Sequence, residues 1–202
     1  MSDNTNEILG RVAVAGMQKC AESLSRVSAG IWSISGVDVS VGTLAGVIKR
    51  RGSDAGETAA VYFDVKGEQQ LIAMVLFDLR DMDRISQCFL GYSFAISPGL
   101  SQAGELLLTE LGNIILNSFI SGLSNTLKRI LMPSAPACLR GGPNYLLGAL
   151  GAVMDVEQRY RIVSIKMSVQ RDKSVTRSEV LGLIPEKLAQ ELLKIEEKDK
   201  RL

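Results

Sequence analysis

Residues 105–132 constrain the fold of this chain more than any other segment. The run is long and apolar, yet it carries an acid and an amide three residues apart, Glu110 and Asn113. At about 100° per residue, Glu110, Asn113, Asn117, Ser121, Ser124 and Lys128 share one stripe of a helix, while Leu108, Leu111, Ile115, Phe119 and Thr126 take the opposite side. One face is built for a core. The other presents a carboxylate and two carboxamides to solvent or a partner.

The rest of the chain arranges itself around this helix as two related halves. Residues 7–27 form a long helix in this reading, with Ile8, Val12, Ala15, Met17, Leu24 and Val27 among its apolar positions. Residues 31–41 alternate as a strand, 50–57 form a polar, Gly-rich loop containing the end of the basic cluster Lys49-Arg50-Arg51, and 58–65 and 69–77 pair as a hairpin about Lys66-Gly67-Glu68. An amphipathic helix at 79–90 opens on Asp78, Asp81 and Asp83, acids favoured by the helix dipole. After a linker at 91–99, in which Ser97-Pro98 offers a cap, the order recurs. Helix 100–131 leads to a strand at 135–139, a short helix at about 144–150, a longer hairpin at 158–170 and 176–184 about Arg171-Asp172-Lys173, and a closing helix opened by Pro185. Arg140-Gly-Gly-Pro-Asn144 lacks the Gly-Lys-Ser/Thr ending of a phosphate loop and reads as a turn.

An offset of 99 places Leu24-Ser25 on Leu123-Ser124 and Val37 on Pro136. The same offset puts Arg11 on Glu110 and Val14 on Asn113, so the first half lacks both the acid and the amide. The expected class is α+β, a single domain of two αβαββα halves, about 5–91 and 98–196, with antiparallel strands and two long helices packed on one side.

Composition excludes several functions. Histidine is absent from the 202 residues, so no Ser-His-Asp or Cys-His arrangement forms and no His metal ligand exists. A net charge of +1 gives no basic surplus for a nucleic-acid backbone. No apolar run reaches about 18 residues without polar interruption, so no membrane insertion is expected. The polar start of the chain is not a secretory signal. Cys20, Cys88 and Cys138 are odd in number and widely spaced, as buried thiols of a cytoplasmic protein are.

The Glu110-x-x-Asn113 pair, with Pro136 twenty-three positions after the Asn, resembles the signature helix of the CheC/CheX/FliY chemotaxis phosphatases. The surrounding Leu-Thr-Glu-Leu-Gly-Asn-Ile-Ile, the later Leu123-Ser124 and the internal duplication resemble the same family, CheC above all. The resemblance implies a phosphatase acting on the aspartyl phosphate of a CheY-type response regulator. In it, Asn113 positions water, Glu110 docks to the regulator's lysine, and Pro136 closes the site structurally. Leu106 and Asn117 border the pair as partner-contacting positions. The motif places Asp or Ser where this chain has Leu106. No cofactor is expected on this chain, and the Mg²⁺ belongs to the regulator. The alternative implied by the resemblance is a non-catalytic adaptor for a response regulator, a CheD-like deamidase or flagellar-switch proteins.

Overall fold

Alternating and continuous apolar strands here build one sheet buried on both faces. The computed structural model describes residues 2–50, 56–65, 70–93 and 101–199. Its elements are α1 (Ser2–Val27), β1 (Ile31–Gly42), α2 (Leu44–Arg50), β2 (Thr58–Val65), β3 (Leu71–Asp78), a 3-10 turn (Leu79–Asp81) running into α3 (Met82–Leu90), α4 (Gln102–Leu127), β4 (Ala137–Gly141), α5 (Pro143–Gly151), β5 (Tyr160–Arg171), β6 (Ser174–Ile184) and α6 (Glu186–Asp199). The fold is α+β. The Arg51 end of the basic cluster, the Lys66-Gly67-Glu68 turn and the Ser97-Pro98 cap lie outside the described residues.

The six strands are ordered β1-β5-β6-β3-β2-β4, and every pairing is antiparallel. This order is symmetric: β1 and β4 are the edges, β5 and β2 come next, and β6 and β3 meet in the middle. The halves are interleaved as well, because first-half β1 pairs with second-half β5, and second-half β4 pairs with first-half β2. The central pairing sets Met74 against Leu181 and Val75 against Val180. A two-fold relation there requires an offset of 106 (181 − 75), larger than the 99 read from the helices.

Alternation along the strands divides the core in two. Ala73, Val75, Phe77, Val163, Ile165 and Val180 face a layer holding α1, α3, α4 and α6. Ile72, Met74, Leu76, Leu181 and Leu183 face α2 and α5 through Leu44, Ile48, Leu146 and Leu150. Helix α2 is only seven residues long, too short to carry a readable period, and is held by burying Leu44, Ala45, Val47 and Ile48.

Several expected boundaries move. Helix α4 begins after Ser101, whose Oγ accepts from Gly104 N at 3.1 Å, and ends at Leu127 instead of near 131. Lys128 leaves the helix with φ 52° and so does not continue the polar stripe, while Ser124, still within α4, donates to the Arg129 carbonyl at 2.5 Å. Strand β4 starts at Ala137, not 135: Pro136 has no N–H to give, and the ladder is broken between Ser134, bonded to the Asp64 carbonyl, and Ala137, opposite Tyr62. The β5–β6 turn narrows to Asp172-Lys173, with Asp172 at φ 54°. The Asp78 carboxylate caps the 3-10 turn through Arg80 N, while Asp81, at the N-cap of α3, makes no capping bond and instead accepts from Thr176 Oγ1 at 2.8 Å. By length and a mean hydropathy of 1.4, α4 could cross a membrane, but half of that apolar window is buried within the protein.

Candidate functional site

Helix α4 lies across β2, β3 and β4, and a glycine sets how closely it lies. A Cβ on Gly112 would stand 2.6 Å from Val61 Cγ1 on β2, so the helix backbone rests directly on that side chain. Leu108, Leu111, Ile115 and Phe119 then point inward, fully buried. The helical period carries Leu106, Glu110, Ile114, Asn117 and Ser121 outward, where all are exposed, with Asn113 half-buried at the edge of the stripe. Thr126, expected on the core side, is instead half-buried along the groove where α4 packs against a second helix.

That helix is α1. Gly16 and Gly122 meet backbone to backbone: a Cβ on Gly16 would lie 3.1 Å from the Ser118 carbonyl oxygen and 3.3 Å from Gly122 Cα. Gly122 also approaches Val12, while Cys20 lies beside Ser118. Residue numbers rise on α1 as they fall on α4, so the two helices run antiparallel. Arg11 and Val14 consequently sit at the opposite end of the pair from Glu110 and Asn113, with Arg11 exposed and Val14 half-buried. The buried positions of the two helices coincide at the offset of 99: Thr5, Ile8, Leu9, Val12, Ala13, Met17, Cys20, Ala21 and Leu24 fall on Gly104, Leu107, Leu108, Leu111, Gly112, Leu116, Phe119, Ile120 and Leu123, every one buried. Between the helices runs an open groove of about 420 Å³, with Lys19, Ser23, Asn117, Ser121 and Asn125 among its polar lining.

Within the site, Asn117 Nδ2 donates to Asn113 Oδ1 at 2.8 Å. The Asn113 carboxamide nitrogen and the Glu110 carboxylate have no partner among the described residues. Both groups are thus available to a second molecule. Beneath them, Thr109 Oγ1 donates to the Glu105 carbonyl at 2.8 Å, and Thr109 lies beside the Cys138 thiol on β4. Burial pushes the Cys138 thiol up, and the Glu105 carboxylate adds to the rise. This contact brings the Pro136 segment to α4, since Pro136 precedes Cys138 by two residues and Thr109 precedes Glu110 by one. Among the described residues no three His, Cys, Asp or Glu side chains gather as a metal site. Cys20, Cys88 and Cys138 are free thiols.

The helical period was enough to place Leu106, Glu110, Asn113 and Asn117 together. It did not reveal the helix crossing or the bond between the two asparagines. Gly16 and Gly122, glycines set inside long helices, were the available signal for the crossing.

No family model matches the sequence, and no curated protein matches it. Solved structures do match, over nearly the whole chain. The crystal structure of Thermotoga maritima FliY superposes with a TM-score of 0.71 at 15% identity, covering 96% of each chain. Its fold is that of FliY and the CheC-like proteins. A CheC-like superfamily protein from Shewanella gives a TM-score of 0.53 at 11% identity, over 83% of this chain and 94% of that one. A chain from the FliG-FliM complex of H. pylori gives 0.65 at 12% identity, over 93% of this chain and 96% of that one. Identities this low speak for the architecture, and the chemistry has to be argued from the residues.

Proposed function

We propose that this protein hydrolyses the aspartyl phosphate of a CheY-type response regulator in chemotaxis or two-component signalling. The observation that carries the reading is the outward pair on α4: an exposed Glu110 carboxylate with no partner among the described residues, and an Asn113 carboxamide one turn along with its NH₂ unspent. An acyl phosphate is already activated, so the protein has little covalent chemistry to perform. Water attacks phosphorus, the bond to the aspartyl oxygen breaks, and inorganic phosphate leaves the free carboxylate behind. What the enzyme adds is a held water on the attack line. The Asn113 NH₂ donates to that water, and the second lone pair of its oxygen remains open to a water proton.

Glu110 pairs with the regulator's active-site lysine and so seats α4 over the phosphate. Leu106 and Ile114, 62% and 38% exposed on either side of Glu110, give the docking strip its apolar contact. Pro136 shapes the chain beside β4 and takes no part in the chemistry. The Mg²⁺ neutralising the phosphoryl oxygens is the regulator's, with no cofactor on this chain. The first-half helix, with Arg11 and Val14 in place of the pair, is a scaffold, and the protein acts in the cytoplasm, where its thiols stay reduced.

Leu106 also supports a second reading. An exposed leucine stands where the resemblance calls for Asp or Ser, and a similarly folded chain is found in a FliG-FliM complex. On that reading the protein is a non-catalytic adaptor binding a regulator, a CheD-like deamidase or flagellar-switch proteins. Decay of a phosphorylated response regulator, followed with and without this protein, separates the two. The phosphatase reading expects acceleration that Asn113→Ala removes by about 10²-fold with folding intact. Binding without any acceleration would establish the adaptor reading in its place.

A further inference from the structure

We infer that Asn117 is a positioning residue that sets which end of the Asn113 carboxamide faces the attacking water; the inference rests on the phosphatase reading above. An asparagine on an exposed helix face has two common χ1 wells, and its amide can be turned end for end in each. About four arrangements are therefore open to an unrestrained Asn113, and only one points the NH₂ outward at the correct angle. The bond from Asn117 Nδ2 to Asn113 Oδ1, 2.8 Å long, selects among them. It occupies the oxygen from the side of Asn117, which lines the groove with Ser118 and Ser121, and so leaves the nitrogen for a second molecule. An aliphatic or acidic residue four positions after Asn113 could not do this: the first makes no bond, and the second would attract the NH₂ and reverse the amide. A carboxamide or another donor is required.

The test uses the full chain with a phosphorylated response regulator at varied concentration. Asn117→Ala should lower kcat by about fourfold, the number of arrangements released, while KM stays as in the wild type. Asn117→Asp should lower kcat at least as far, and Asn117→Gln, which retains an NH₂ donor within reach, should stay within about twofold of wild type. A purely helix-stabilising role would lower the melting temperature and leave kcat alone. Full kcat in Asn117→Ala, or a change confined to KM, would overturn the inference while leaving the phosphatase reading standing. If the wild type does not accelerate decay, it is the phosphatase reading that fails. The orientation is then read directly from the Asn113 side-chain NH₂ resonances, which should shift and exchange faster with solvent in Asn117→Ala. Unchanged resonances would refute it.

Discussion

Replacing Gly112 by alanine tests how the fold delivers the site. The new Cβ would lie 2.6 Å from Val61 Cγ1, 2.7 Å from Val61 Cβ and 3.1 Å from Val61 Cγ2, against a comfortable carbon–carbon separation of about 3.5–4.0 Å. Val61 cannot step aside, because it is fully buried and its strand is paired on both sides, opposite Val75 on β3 and Cys138 on β4. Helix α4 must rise by about 1 Å, a gap that forfeits a quarter to a half of each affected contact beneath Leu108, Leu111 and Ile115. Overpacking of this kind costs about 2–3 kcal/mol, while alanine gains about 1 kcal/mol over glycine in helix preference. The net expectation is destabilisation by about 1–2 kcal/mol. Gly148 on α5 supplies the control: a Cβ there meets nothing within 4 Å, so Gly148→Ala should stabilise by up to about 1 kcal/mol. Urea unfolding followed by circular dichroism measures both variants. Adding Val61→Ala to Gly112→Ala removes two of the three close atoms but leaves Cβ, and should recover only part of the loss. A Gly112→Ala protein as stabilised as Gly148→Ala would refute the close seating of α4 on β2.

Two further expectations follow from charges. Glu110→Lys should weaken regulator binding by roughly 1.5–3 kcal/mol, with a contact that fades as salt is added, while the unfolding midpoint barely moves; calorimetry giving unchanged affinity would exclude the docking role. The buried Arg161 guanidinium is held by both Glu186 oxygens, at 2.7 and 2.9 Å, and by Asn6 Oδ1 at 2.6 Å. Because the Glu186 side chain is 54% exposed, Glu186→Gln should cost about 1–2 kcal/mol, less than the roughly 3–5 kcal/mol of a fully buried pair. The hydrogen bond from Arg161 holds the Glu186 carboxyl below its ordinary 4.5. Its contribution is therefore present above that pH and is lost as pH falls through the lowered folded-state value. Urea midpoints measured down this acid range should fall less steeply in Glu186→Gln than in the wild type, and parallel curves would count against the ion pair.

Much of this architecture is written locally. The period of 3.6 along α4 separated Leu108, Leu111, Ile115 and Phe119 from Glu110, Asn113 and Asn117, because each residue's direction on a helix follows from its position in the chain. Alternation located β1 as a strand but not its buried face, since Ile31, Val37 and Val41 are exposed while Trp32, of the other parity, is buried; the order of elements recurs in the two halves as read. What the sequence alone could not decide depends on contacts between distant segments. The end of α4 was set by Lys128 entering the left-handed region and Ser124 closing the last turn, not by loss of apolar character, which continues to Met132. The crossing of β1 to β5 and β4 to β2, the antiparallel meeting of Gly16 with Gly122 and the seat of Gly112 on Val61 all join residues far apart in sequence. Local periodicity determines which face a side chain takes, and only tertiary packing determines what that face meets.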